Sequence, residues 1–116
     1  MNRDPAVLLD KVTEAVADGD GPVLSVYCAE VTSLGVTSAV HDAVVCGDVA
    51  HGQVQVSTVG AMAGAGFDLT RHTADGEPEC HHHVHFGNDL TTARAELFIA
   101  CFDEPIPNPA GAKRRR

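Results

Sequence analysis

Phe67-Asp68-Leu69-Thr70-Arg71-His72-Thr73 and Cys80-His81-His82-His83-Val84-His85-Phe86 read as two strands, joined by the turn-rich Ala74-Asp75-Gly76-Glu77-Pro78-Glu79. Side chains alternate between the faces of a strand. Cys80, His82, Val84 and Phe86 therefore share one face of the second segment, and His81, His83 and His85 share the other. In the first segment Phe67, Leu69 and Arg71 oppose Asp68, Thr70 and His72 in the same way. Setting Phe67 and Leu69 against Phe86 and Val84 brings the apolar sets onto one face. That register places Asp68 opposite His85, Thr70 opposite His83 and His72 opposite His81. The hairpin so built has one face for a core, and one that gathers four of the chain's seven histidines and an aspartate.

Upstream, Asp4-Pro5 opens a helix with an N-cap and a first-turn proline. Val7, Leu8, Val12, Ala15 and Val16 recur at helical spacing, and Gly19 stands where the helix should stop, so residues 5–18 are expected to be helical. Asp20-Gly21-Pro22 is a turn, and Val23 to Thr32 reads as an interior strand with Cys28 as a core thiol. Residues 33–36 form a loop. The Val-rich run that follows, to about Cys46, reads as a short helix capped by Thr37 or Ser38, with a strand as the alternative. Gln53 to Val56 alternates as a short strand, and Ser57 caps a weak, glycine-containing helix from Thr58 to Ala65. After the hairpin, Asn88 or Asp89 caps a last helix to about Phe102. Its expected buried stripe is Ala93, Leu97, Phe98 and Cys101, with Arg94 and Glu96 facing out. The sum is one α+β domain over residues 1–104, helices packed on a small, mainly antiparallel sheet, with a C-terminal hairpin followed by a helix. Residues 105–116, proline-rich and then basic, are expected to be a disordered tail.

Composition narrows the function classes. The formal net charge is −8, from 8 basic and 16 acidic residues, and four of the basic ones are Lys113, Arg114, Arg115 and Arg116. Residues 1–112 thus carry 4 − 16 = −12. So acidic a body repels phosphate backbones, which argues against nucleic acid and leaves a protein partner as the expected kind. No apolar run has the length of a signal peptide core or a membrane span, so a reducing cytoplasm is the expected compartment. Cys28, Cys46, Cys80 and Cys101 are widely spaced, which indicates neither a zinc ribbon nor a disulfide framework.

The histidine face points to a transition metal, zinc or iron. Residues two apart on a strand are separated by roughly 6.5–7 Å, so His81 and His85 lie about 13 Å apart at the backbone. Metal–nitrogen bonds of about 2.0–2.1 Å cannot gather all three alternating histidines of one regular strand on one ion. Two neighbours and a cross-strand group can, because opposed side chains start about 4.5–5.5 Å apart. One candidate set is His72, His81 and His83; the other is Asp68, His83 and His85, the ligand type of non-haem iron sites. Either leaves an open coordination position. The same pattern also admits a plain polar sheet face, or an interface whose charge changes near pH 6.5. The leading reading is a small acidic binding module with the histidine hairpin as its working surface. The rival is a small metal-dependent hydrolase or non-haem iron enzyme using the same side chains, with Asp68 as ligand or base. No complete catalytic signature accompanies them.

The order helix, strand, helix, helix, hairpin resembles a winged-helix domain. Ser57-Thr58-Val59, Gly66-Phe67 and the later His81-His82-His83-Val84-His85 are similar to the ferric uptake regulators, whose Thr-Val-Tyr-Arg recognition helix precedes a His-rich metal-binding stretch. The resemblance covers about thirty residues and implies a metal-sensing regulator. Gly60 and Ala61 stand where that family has Tyr-Arg, the helix has no basic residue, and no Cys-x-x-Cys follows.

Overall fold

A computed structural model of the chain describes residues 3–72 and 74–111. Its elements are α1 (Pro5–Ala17), β1 (Val23–Tyr27), α2 (Val36–Cys46), β2 (Gln53–Val54), α3 (Val59–Gly64), β3 (Asp68–Arg71), β4 (His81–His85), α4 (Thr92–Ala100) and β5 (Ile106–Pro107). The histidine strand β4 is the middle of a three-stranded antiparallel sheet of order β1-β4-β3. Its register against β3 pairs Asp68 with His85, Leu69 with Val84 and Thr70 with His83, and the His72 N–H donates to the His81 carbonyl at 2.9 Å. This is the pairing expected from the apolar alternation. On its other edge β4 takes β1, with Tyr27 opposite His81 and Ser25 opposite His83.

The sheet's apolar face is covered by α1 and α4. Leu8 and Val12 of α1, Val84 and Phe86 from the β4 segment, and Ala95, Phe98 and Ile99 of α4 form one buried cluster with Met62 and Phe67. Phe67, Phe86 and Phe98 meet ring to ring at centroid distances of 5.2–5.5 Å. Three aromatics in mutual contact at such distances supply much of the core in a chain with so few of them.

Local signals place the helices, with some changes of detail. Asp4 caps α1, its side chain accepting from the Ala6 N–H, and Gly19 follows the helix at φ +88°. The run 36–46 is a helix, not a strand, and it starts behind Gly35 without a side-chain cap. Gly35 holds φ 91°, a conformation that strains any residue with a Cβ. Thr58, rather than Ser57, caps α3, while the Ser57 hydroxyl donates to the Cys101 carbonyl at 2.6 Å. Thr91, rather than Asn88 or Asp89, caps α4.

The buried stripe of α4 is Ala95, Phe98 and Ile99, and Leu97 is exposed. Residues 93–102 are apolar on two sides, so spacing alone does not set the helix's rotation. Contact with Phe67 and Phe86 does. Arg94 is accordingly turned inward: its guanidinium lies 4.0 Å from the Phe67 ring centre and donates to the carbonyls of Ala65 and Gly66. It secures the turn that leads into β3.

Two further expectations change. Ile106–Pro107, assigned by sequence to a tail, pair with Gln53–Val54 in a second small sheet. Pro107 is tolerated there because this is a two-residue edge strand. Asn108 is buried beyond it, donating through Nδ2 to the carbonyls of Val49 and His51 and accepting from the Ala110 N–H. Ordered structure therefore runs past residue 104, and the basic Lys113 to Arg116 lie outside the described residues.

Cysteine use also differs. Cys46 at the end of α2 and Cys80 at the start of the histidine segment form a disulfide, with Cα atoms 6.3 Å apart. Their separation of 34 residues has no motif to announce it; tertiary packing brings them together. Cys28 and Cys101 are free and half-buried, and burial pushes both thiols up from their ordinary range. Unfolded under non-reducing conditions, the protein should show two reactive thiols, rising to four after reduction. Cys46→Ala should lower unfolding stability by about 4 kcal/mol, the scale expected for a bridge closing a loop of this length. Chemical denaturation of the oxidised parent beside the variant tests that, and equal stabilities would mean the bridge is not formed.

Candidate metal centre

On the face of β4 away from the core, the hairpin connection folds back over the sheet. Turns closed by the Glu77 N–H to the Ala74 carbonyl and by the His81 N–H to the Pro78 carbonyl bring Glu77 beside His81. His81 Nδ1 lies 2.7 Å from Glu77 Oε2. A carboxylate at neutral pH only accepts, so Nδ1 carries the proton in this bond. The other carboxylate oxygen, Oε1, lies 3.8 Å from His72 Nε2. One donor atom from each of His72, Glu77 and His81 falls within 4.8 Å of the others. Two ligands of a tetrahedral zinc stand roughly 3.3 Å apart, given bonds near 2.05 Å. The observed spacings bracket that value, so modest side-chain movement closes the set on an ion.

His81 is only 7% exposed, a rare degree of burial for a histidine on a face that sequence reads as polar. Three rings enclose it. His72 and His83 meet it edge-on at centroid distances of 4.8 and 5.3 Å, and Tyr27 of β1 lies at 5.4 Å. Its Nε2 is buried with no hydrogen-bond partner among the described residues. A lone polar atom left so costs about 1–3 kcal/mol. Tyr27 is fixed in turn by Gly47, the residue after α2. A Cβ on Gly47 would sit 2.5–2.8 Å from three Tyr27 ring atoms, so a side chain there would push the ring against His81.

His72 and His83 stack at 4.3 Å, with 29° between their planes. Protonating either brings positive charge toward its neighbour. The His83 imidazole is held below its ordinary range by desolvation, then by the charges of His72 and His81, partly opposed by Asp20. Neutral imidazoles are the form that binds metal.

The two ligand sets expected from sequence fare differently in geometry. His72, His81 and His83 are drawn into one ring cluster, although His83 is not in the group of three donors close enough to share an ion, which is His72, Glu77 and His81. Asp68 is exposed beside its cross-strand partner His85, and the His85 Nε2 is hydrogen-bonded to the Thr70 hydroxyl at 2.6 Å. Among the described residues, neither belongs to a group of three donors close enough to share an ion. Glu77 is the donor that sequence reasoning passed over. It sits in a connection read only as a turn, although its place four residues before His81 was a usable signal once that turn folds back. His82 faces the other way, donating from Nδ1 to the Cys80 carbonyl. His41 and His51 lie elsewhere and are exposed.

Comparison with known proteins adds no relative: no family model, curated protein or solved structure matches the chain.

In metal-free protein the His83 ring should titrate below 6.5, and His72→Gln should move its midpoint upward by removing one of the opposing charges. Because the folded-state value is depressed, the associated stability is present above the unfolded-state value and is lost as pH falls through the folded one. Proton NMR of the imidazole signals checks both. A midpoint at or above 6.5 would contradict the packed cluster.

Proposed function

We propose that this domain is a metal-binding module that takes up one transition-metal ion, zinc or ferrous iron, through His72, Glu77 and His81. The observation that carries the reading is the spacing of the donor atoms beside a buried ring cluster: His81 Nδ1 lies 2.7 Å from one Glu77 carboxylate oxygen and His72 Nε2 lies 3.8 Å from the other. Ligation by Nδ1 displaces the proton it now shares with Glu77, since imidazole and carboxylate must be deprotonated to hold an ion. The donor set is nitrogen and oxygen without thiolate, which suits zinc and ferrous iron rather than softer ions. His83, stacked on His72, is a supporting ring and a reserve ligand, in keeping with its membership of both sets drawn from the sequence.

Three protein donors leave a fourth tetrahedral position for water or for a donor from elsewhere. That position is compatible with an enzyme, and an enzyme would need a substrate cleft beside it. A cleft of about 750 Å³ does exist, but none of His72, Glu77, His81 and His83 lines it. This favours binding over catalysis, with an acidic protein surface around the ion for a protein partner to meet. For a regulator on DNA, α3 would have to read the duplex, yet it spans six residues with no basic side chain. No helix among the described residues is long and apolar enough to cross a membrane. A cytoplasmic setting belongs to this proposal only if Cys46 and Cys80 are found reduced in the cell, since disulfides persist in oxidising compartments.

Metal content by mass spectrometry on untagged protein, followed by zinc and ferrous-iron titration, tests the reading. The parent should bind one ion per chain. His81→Ala and Glu77→Ala should each weaken binding by about 10- to 100-fold or more, while Asp68→Ala and His85→Ala leave it unchanged. Loss of binding in the latter pair alone would move the site to the hairpin's open end. A parent that binds neither metal would end the proposal.

A further inference from the structure

The register of β1 against β4 carries on one step beyond both strands. Tyr27 stands opposite His81 at the last paired position, which sets Cys28 opposite Cys80 at the next. The Cys28 N–H donates to the Cys80 carbonyl at 2.9 Å, so the pairing holds there. Directly opposed residues project from the same face of a sheet, with Cβ atoms about 4.5–5.5 Å apart. Cys80 is already bridged to Cys46 of α2, and Cys28 is a free thiol. A thiol therefore stands beside one end of a disulfide, on the same face of the strand pair. The other free thiol has no such place: Cys101 is engaged by the carbonyls of Leu97 and Ala61, at 3.3 and 3.7 Å.

Backbone freedom permits a change of partner at Cys80. Cys28 is the first residue past β1, with no helix or strand until Val36, and Cys80 ends the turn before β4. Opposed residues in a hydrogen-bonded pair have Cα atoms about 5.5 Å apart, inside the range of roughly 4.4–6.8 Å that disulfides span. Exchange needs a thiolate as the attacking group. Burial pushes the Cys28 thiol up, which lowers its thiolate fraction and slows the step. Its fixed place beside Cys80 works the other way, because a held partner acts at a far higher effective concentration than a thiol in solution. Access differs along the set as well: Cys46 is exposed, Cys28 half-buried and Cys80 buried. The sulfur hardest to reach from solvent is the one that Cys28 adjoins.

We propose that Cys28, Cys46 and Cys80 form a thiol–disulfide exchange site, in which the bridge at Cys80 moves between Cys46 and Cys28. The Cys28 thiol gives its proton to water, and the thiolate attacks the Cys80 sulfur. A Cys28–Cys80 bond forms as the Cys46–Cys80 bond breaks, and Cys46 leaves as a thiolate that takes a proton from water. One disulfide and one thiol stand in this set before and after, so the step consumes no oxidant or reductant. Its result is to untie α2 from the histidine segment and to leave Cys46 as an exposed surface thiol. The site does not depend on metal.

Disulfide mapping of the full chain tests it. Protein purified without reductant is held at mildly alkaline pH, then unfolded and alkylated with N-ethylmaleimide in mild acid and cut with pepsin, so that scarcity of thiolate stops further exchange. Mass spectrometry should find Cys28 joined to Cys80, with Cys46 alkylated in the same share, beside the Cys46–Cys80 form. Cys28→Ser should abolish the alkylation of Cys46, and Cys101→Ser should leave it unchanged. Absence of the Cys28–Cys80 peptide from the parent overturns the proposal. So does Cys46 alkylation that survives in Cys28→Ser, or that disappears in Cys101→Ser instead.

Discussion

The alternation of β4 is the constraint on which the rest depends. Val84 lies in this strand and Phe86 just beyond it, and both are buried with side chains of α1 and α4. Once they point inward, His81, His83 and His85 have no choice of face. A slip of β4 by one residue against its neighbours would send Val84 and Phe86 to solvent and the histidines under α1 and α4, so the core's preference locks the register of the histidine face. The chemistry on one side of the sheet is positioned by hydrophobic burial on the other. In a domain with four phenylalanines, three in mutual contact and the fourth, Phe102, against Phe98, that lock is concentrated in few residues.

A strand can place histidines in a row, but it cannot gather them. Their backbone spacing is too wide for one ion, and what changes the arithmetic is the connection between β3 and β4. By folding back it brings a carboxylate to His81 and converts a line of exposed rings into a cluster with one buried member. Tyr27, held over His81 from the edge strand and braced by the bare backbone of Gly47, closes the remaining side. His83 and His85, two and four residues along the same strand, stay more open because nothing comparable folds over them. Burial, rather than ligand type, separates the two ends of the hairpin.

What was legible in the sequence follows the same division. Period-two alternation with apolar residues at matching offsets gave the hairpin register residue by residue, and an Asp-Pro opening with a later glycine bounded α1. Such signals are local and come from single physical causes. The inward turn of Arg94 and the rotation of α4 were not legible, because an apolar run on two sides of a helix leaves its phase to tertiary contact. Cys46 and Cys80 are joined across 34 residues by packing alone. The strand made by Ile106–Pro107 was hidden behind prolines that ordinarily argue against a strand. Glu77 lay between these cases: its identity and spacing were visible, but its direction depended on how a turn closes.

The two faces of β1 connect the parts. Ser25 and Tyr27 stand opposite His83 and His81, and with Leu24 and Val26 they also line the large cleft. β1 is an edge strand, held by β4 on one side only, and α2 lies over it, tied at its end by Cys46 to Cys80 and by Gly47 to Tyr27. A small displacement of α2 would therefore change the cleft volume and the pressure of Tyr27 on His81 together. Edge strands are the members of a sheet most able to yield, since half of their backbone hydrogen-bonding groups have no ladder to hold them. The disulfide counteracts that freedom where it matters for the histidine cluster, by anchoring α2 to the first residue of the histidine segment. The geometry thus keeps the ring cluster stiff while leaving the far end of α2, around Val36 and Val40, the freer side of the cleft.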